Sequence, residues 1–534
     1  MPNTSPGPSV FPLAAVRPLS RLAAAGRVPA AALALGWLAG CGGGGGGGST
    51  LPPPALSVAP SIALESAGQM PFTVTLEKNA EWDVQLHYST ADLVSTLASK
   101  AVPGYARGGA SCSAGIDYVA VNNGAFTIPT GQRTATVQVT ICNDATLQAD
   151  KRFNLTVNGG ASPSTAVGTI VNDDAGGLND TGISACVNAS GGATGCPAGG
   201  LAGQDAETGR DALSLVNSDA DGLKGFSFEK VGASGESLAA NAAGWSCVRD
   251  RVTGLLWQVE QATGTPETMP FADVAARITA ANSASLCGVS NWRLPEVAEL
   301  ASLVAAGKTS GVAIDSNWFA DTAGLANQQT SIYWTDTTYP DDDQTDWTVD
   351  FGLGAVGVKN KAPGNSFSLR LVSGAESQPS SATPCLAGSA KVASDRFADN
   401  GDGTVTDKRT QLMWMQCSQG RSGTSCGSGT AASVDWAGAL SAAAAANGSA
   451  SLGKGYTDWR LPNRNELASL VEYACRAPAI NQTYFPSTVL ASYWSSSPVL
   501  PISGSAWYVN FVDGDVGPAT TDGPRAVRLV RAGH

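Results

Sequence analysis

Asn291-Trp-Arg-Leu-Pro-Glu-Val-Ala-Glu-Leu-Ala-Ser-Leu303 recurs as Asp458-Trp-Arg-Leu-Pro-Asn-Arg-Asn-Glu-Leu-Ala-Ser-Leu470. Four further blocks repeat around this one. Thr253-Gly-Leu-Leu-Trp257 answers Thr410-Gln-Leu-Met-Trp414, and Tyr333-Trp-Thr335 answers Tyr493-Trp-Ser495. Trp347-x-Val-x-Phe351-x-x-Gly354 answers Trp507-x-Val-x-Phe511-x-x-Gly514, and Leu369-Arg-Leu-Val372 answers Val527-Arg-Leu-Val530. The five blocks keep their order at offsets of 157 to 167 residues. So long a period means two tandem copies of a whole domain, not a solenoid of small units.

The chain has 534 residues, enough for several domains, with 14% charged residues, 63 Gly and a net charge of −12. The acidic balance argues against nucleic-acid binding, which needs a basic surface. Charge is unevenly placed. Residues 183–377 hold 22 Asp and Glu against 11 Lys and Arg, whereas residues 384–534 hold 11 against 12. An anionic ligand would therefore favour the second copy.

Residues 1–41 read as a targeting segment. Arg17, Arg21 and Arg27 precede an apolar run, Val28–Leu38, too short to span a bilayer. The run ends in Leu38-Ala-Gly-Cys41, which resembles the bacterial lipobox. That resemblance implies a lipid on Cys41 and, with Gly42 following, the outer membrane. Residues 42–54, seven Gly and then Pro52-Pro-Pro54, form a tether without core-forming residues. Setting Cys41 aside, ten of the 11 Cys remain, an even number that suits disulfides in an oxidising compartment.

Residues 55–174 read as all-β, with six or seven short strands. Phe72-Thr-Val-Thr-Leu76 and Ala135-Thr-Val-Gln-Val-Thr-Ile141 alternate apolar with polar, and turns separate the runs. This predicts an immunoglobulin-like sandwich. Gly115-Ile-Asp-Tyr118, Phe126-Thr-Ile-Pro-x-Gly131, Asn143-Asp144 and Gly168-Thr-Ile-Val-Asn-Asp-Asp174 resemble a Calx-β domain. The resemblance implies calcium ligands at one end, onto which Glu65, Asp117, Asp144, Asp173 and Asp174 fall. Gln148 and Lys151 stand where an acidic pair is expected, and a Lys opposes calcium. Cys112 and Cys142 are expected to pair. Residues 175–225 are Gly-, Ala- and Asp-rich with little periodicity, and read as an irregular lead-in in which Cys186 and Cys196 can close a small loop.

Each copy then follows one plan: a β entry, a helix (Phe271–Ala284 or Val434–Ala446), the Trp-Arg-Leu-Pro block, and strands to the end. Pro295 and Pro462 are expected in the first turn of a short helix. Asn463 and Glu466 form a capping-box pattern. Two helices followed by a strand-rich half is the order of a C-type-lectin-like α+β domain. The motifs Phe397-Ala-Asp-Asn-Gly-Asp-Gly-Thr-Val-Thr-Asp407, Trp459-Arg-Leu-Pro462, Tyr493-Trp-Ser-Ser496 and Val527-Arg-Leu-Val530 resemble the Lcl C-terminal-domain family. The copies span residues 226–374 and 384–532, joined by 375–383. The family implies a secreted or surface lectin-like domain that binds glycans.

Candidate sites are few. Asp399, Asp402 and Asp407 have the look of a calcium loop, whose bland alternative is an Asn-Gly turn. Asp336, Asp341, Asp342, Asp343, Asp346 and Asp350 crowd one loop of the first copy, as a cation or sugar site or simply a solvated acidic loop. Trp292, Trp334, Trp347, Trp459, Trp494 and Trp507 read as core. Arg293 with Glu299 and Arg460 with Glu466 read as structural ion pairs, and Arg370 and Arg528 are expected to be paired. Expected disulfides are Cys247–Cys287 and Cys417–Cys426, which leaves Cys385–Cys475. With two His, His87 and His534, and no HExxH, CxxC or P-loop, catalysis has little support.

The sequence thus predicts an outer-membrane lipoprotein that binds a glycan or protein ligand at the cell surface without catalysis. Calcium is a candidate cofactor. A structural envelope module and a hydrolase built on paired carboxylates are the alternatives.

Overall fold

The computed structural model describes residues 54–531 apart from 94–104, 149, 175–176, 213–219, 261–265, 323–327, 375–395 and 501. Cys41 with its targeting segment, all but Pro54 of the tether, the 375–383 linker and Cys385 lie outside the described residues. The described chain is mostly β-sheet in several domains.

In the sandwich, period-two burial sets the face. Gln69–Leu76 buries Met70, Phe72, Val74 and Leu76 and turns the residues between them outward. One sheet has three strands, Leu56–Val58, Gln69–Leu76 and Thr134–Thr140. The other has five, in the order Ser61–Leu64, Ser164–Val171, Lys151–Asn158, Val84–Asp92 and Gly124–Ile128. The run from Val58 to Leu64 reads as one strand in sequence, yet it is two. Pro60 lacks a donor N–H, the ladder breaks beside it, and the chain crosses from one sheet to the other. Between the sheets Tyr118 stacks on Phe153 at 4.3 Å. A disulfide joins Cys112 to Cys142.

Each copy opens and closes in one small sheet. Leu256–Gln258 pairs with Val372–Ser373, and Leu412–Met415 pairs with Val530–Arg531, so the ends of each copy lie side by side. The first long helix is Val274–Ser283, entered through a 3-10 turn at Phe271–Asp273. The second begins at Trp436, later than expected, because the Asp435 side chain accepts from the Gly438 N–H at 2.8 Å and caps it. The short helices Val297–Ala301 and Arg464–Ala468 both carry capping boxes. Pro295 and Pro462 sit just before the N-caps Glu296 and Asn463, outside the first turn where they were expected. There they cost no helical bond.

The core strands of the two copies form one eight-stranded sheet, joined where Ala355–Asn360 meets Val516–Thr520. The joint pairs Val356 with Val516 antiparallel. These are the same position in the two copies, since Trp347 and Trp507 stand nine residues before them. A position that meets its own counterpart marks an approximate two-fold axis, the geometry of a symmetric dimer built into one chain. The hydrophobic core follows: Leu300, Trp347 and Phe351 share a cluster with Leu467, Trp507 and Phe511. Arg464 Nη2 crosses the joint to the Gly354 carbonyl at 2.6 Å.

The 177–225 stretch is not a loose lead-in. It holds a two-residue hairpin closed by Cys186–Cys196 and a 3-10 turn at Asp205–Glu207, and Ile183 enters the shared core. Asn465 Nδ2 donates to the carbonyls of Asn179 and Asp180, at 3.2 and 2.9 Å, tying the stretch to the second copy. No helix among the described residues is long and apolar enough to cross a membrane.

Candidate functional site

The sandwich end gathers its carboxylates around a lysine. Lys151 Nζ lies on Asp117 Oδ1 and also meets Gln148. Asp117 Oδ2 takes the Arg107 N–H at 2.7 Å. Asp144 takes Thr146 and Gln148, and Asp173 caps Ser66. Glu65 is buried, and burial, then Asp144 and Asp174, push its carboxyl up to about 7. Burial also raises Asp174. A fixed ammonium group thus stands among the oxygens that would serve a cation, so the residues present do not fit the calcium site that the Calx-β resemblance implies.

The 399–407 stretch is a turn. Asp399 Oδ1 accepts from Gly401 N–H at 2.9 Å, and Asp402 Oδ1 accepts from Thr404 N–H at 3.0 Å. Asp407 is turned inward onto Arg396, 2.8 Å away. Burial opposes the charge of Asp407, but Arg396 outweighs it and holds the carboxyl below its ordinary range. The three side chains are therefore not one ligand set. The acidic run of the first copy is also no open loop. It forms the hairpin of Ile332–Tyr339 with Asp342–Asp350, which spreads its carboxylates along two strands. Asp341 meets Arg476, Asp343 takes Gln344, and Asp346 pairs with Lys361 at 2.7 Å. Asp336 lies on the other strand, before the tip.

All six tryptophans, Trp292, Trp334, Trp347, Trp459, Trp494 and Trp507, are buried. Arg293 grips Glu299 through two bonds of 2.7 and 2.6 Å, and Arg460 grips Glu466 through two of 2.5 Å. Arg370 is fully buried against Asp321 at 2.7 Å. Arg528 departs from expectation. It meets no carboxylate among the described residues, and instead donates to the Met415 and Gln416 carbonyls and to Thr488 Oγ1. The cause is a substitution between copies: Phe319-Ala-Asp321-Thr322 corresponds to Phe485-Pro-Ser487-Thr488. Disulfides join Cys247 to Cys287 and Cys417 to Cys426. Cys475 is disulfide-bonded, while Cys385, its expected partner, lies outside the described residues.

Sequence reading missed the densest acidic group. Asp180, Asp205 and Asp211, all buried, bring one carboxylate oxygen each within 4.8 Å of the others. Among the described residues no other three His, Cys, Asp or Glu gather so closely. Thr181 Oγ1 donates to Asp205 Oδ2 at 2.8 Å and lies 3.2 Å from Asp211 Oδ2. From the second copy, Asn463 Nδ2 reaches Asp180 Oδ1 at 2.7 Å and Ser497 Oγ reaches Asp205 Oδ2 at 2.5 Å. Gly209 (φ +93°) and Gly225 (φ +84°) let the backbone close over the group, since a Cβ on either would strike Asp180 at 2.4 or 2.5 Å. Burial first, and then carboxylate neighbours, raise all three carboxyls above their ordinary range.

Asp180 also lines a cavity of about 420 Å³ where the sandwich meets both copies. Gln148, Asp150 and Asn172 of the sandwich face Asp221 of the 177–225 stretch, Arg251 of the first copy and Glu466 of the second. A space of this size, rimmed by hydrogen-bonding groups, suits one small polar ligand or the end of a larger one.

No curated protein matches the chain. Among solved structures, the calcium binding domain CBD12 of CALX1.1 is 18% identical, with a TM-score of 0.18, over 24% of this chain and 50% of that one. CBD12 from CALX1.2 is likewise 18% identical, with a TM-score of 0.18, over 24% and 47%. The match spans about half the length of each. The ligand binding region of Serine-glutamate repeat protein A of Enterococcus faecium is 10% identical, with a TM-score of 0.12, over 21% of this chain and 89% of that one. The Lcl C-terminal domain matches twice, at residues 246–373 and 403–531, the two stretches that share the eight-stranded sheet. The chain carries two tandem Lcl C-terminal domains.

Proposed function

We propose that the chain is a lipid-anchored binding protein of the bacterial outer membrane, facing the cell surface, whose two C-type-lectin-like domains engage a glycan or protein ligand without catalysis. The lectin-like reading is supported by the pairing of first and last strands within each copy. The cavity of about 420 Å³ at the junction of sandwich and copies carries the binding reading. Its carboxylates Asp150, Asp173, Asp174, Asp180, Asp221 and Glu466 offer acceptors, its amides offer both donors and acceptors, and Arg210 and Arg251 add donors, so the acidic groups outnumber the basic ones. Such a wall suits the hydroxyls of a neutral sugar or the amino groups of a peptide better than a sulfated glycan.

The test is a glycan array and a panel of envelope and host proteins probed with the mature chain and with Ser227→Trp, which fills the cavity. The expected result is a defined ligand whose affinity falls at least tenfold in the variant while the unfolding temperature holds. Silence from well-folded protein would favour a structural envelope role. Turnover of any ligand would favour a hydrolase.

A further inference from the structure

We propose that Asp180, Asp205 and Asp211 hold one hard divalent cation, Ca²⁺, which staples the 177–212 stretch to the second Lcl C-terminal domain. The first argument is reach. Oxygens that share a Ca²⁺ lie about 2.3–2.6 Å from it, so any two of them are at most about 5 Å apart. One oxygen from each carboxylate meets that limit at 4.8 Å.

The second argument is the missing counter-charge. Several other buried carboxylates have a cation against them: Asp321 has Arg370, Asp407 has Arg396, Glu299 has Arg293 and Asp117 has Lys151. Asp250, buried without one, stands apart from other acids and takes the Asn179 amide and the N–H groups of Val252 and Thr253. Asp180 and Asp205 form no ion pair with any described residue. Arg460, whose charge is felt by Asp180, is gripped from both sides of its fork by Glu466, whose own charge raises Asp180 and Asp205 further. Asp180 and Asp205, buried side by side, would have to stay protonated or share a cation.

The third argument is an orphan atom. Asp205 is completely buried, and its Oδ2 takes the hydroxyls of Thr181 and Ser497. Its Oδ1 is buried and meets no hydrogen-bond donor among the described residues. A carboxylate oxygen left bare inside a protein is costly, and a cation on the group removes that cost. A site walled by protein oxygens suits Ca²⁺, which accepts irregular shells of six to eight oxygens. Mg²⁺ demands a near-octahedral shell and keeps several waters. The ligands come from the 177–212 stretch, and their supports, Asn463 and Ser497, come from the second copy. The ion would thus tie together parts of the chain that share no ladder.

The site touches the cavity through Asp180, but its test needs no cavity ligand and stands apart from the proposed function. The full mature chain is stripped with EDTA and titrated with Ca²⁺ by calorimetry, with thermal unfolding alongside. One equivalent is expected to bind and to raise the unfolding temperature. Asp205→Asn is expected to lose that equivalent, whereas Asp399→Asn and Asp144→Asn keep it. No Ca²⁺ binding by the wild type, or an equivalent that survives Asp205→Asn and disappears in Asp144→Asn or Asp399→Asn, overturns the assignment. Should Asp205→Asn fail to fold, a wild-type crystal grown with Ca²⁺ decides: a cation bonded to the three carboxylates supports the site, and its absence there refutes it.

Discussion

Glu65 makes the sandwich sensitive to pH. Its carboxyl, pushed from 4.5 up to about 7, binds more protons in the folded state than in the unfolded one. Such a group contributes stability that is complete below about pH 4.5 and is lost as pH rises through about 7. The unfolding temperature of the chain should therefore be lower at pH 8 than at pH 5, and Glu65→Gln should shrink that difference. Thermal melts at the two pH values check it, and an unchanged difference would place the effect elsewhere. Arg370 and Arg528 offer a second comparison. Both lie over a Phe ring, Phe319 at 4.8 Å and Phe485 at 4.9 Å, but only Arg370 has a carboxylate. Removing one partner of a buried pair costs about 3–5 kcal/mol. Asp321→Asn is expected to cost about that much in chemical denaturation, while Ser487→Asn, at the exposed counterpart position, should change little.

Among the elements, the repeated short helix was the most legible from sequence. Asn463 and Glu466 satisfy each other's backbone N–H groups at 2.8 Å, as the capping pattern predicts. Asn463→Ala should cost about 1–2 kcal/mol, the upper part of the range for a cap, because its Nδ2 also holds Asp180. Asp435→Ala, a cap without a second task, should cost about 1 kcal/mol. Denaturant midpoints separate the two. Where element reading failed, a local rule was overridden by pairing. The acidic run from Asp336 to Asp350 has the composition of a loop, yet Trp347, Val349 and Phe351 bury against the core and draw their polar neighbours into a hairpin. A sixth repeated stretch, Ile314–Thr322 with Ile480–Thr488, stayed hidden because its identities are sparse; its shared place under the two arginines reveals it.

At the scale of the molecule, the covalent staples and the proposed lipid anchor can be tested separately. The Cys247–Cys287 bridge closes a loop of 40 residues in the first copy. Loop-closure entropy puts its contribution at about 4 kcal/mol. Replacing both cysteines with Ala should lower the stability of that copy by roughly this amount, read by calorimetry. Cys41→Ser should abolish metabolic labelling by palmitate and release the chain from the membrane fraction, and persistent labelling would refute the lipobox reading.

The repeats, the sandwich and the Asn463 cap were written in the sequence because each rests on short periods and local bonds: alternation along a strand, an Asn–Glu spacing, a block that occurs twice. The joining of two copies into one sheet was decided by tertiary structure, since it rests on a single register, Val356 against Val516, that no local pattern encodes. The Asp180, Asp205 and Asp211 group was decided there too. Its carboxylates are irregularly spaced in a Gly-rich stretch, and the side chains that fix them, Asn463 and Ser497, lie 283 and 292 residues further along the chain. Three like charges repel, and more strongly out of water, so nothing local draws them together and only the contacts of the whole fold hold them at one point.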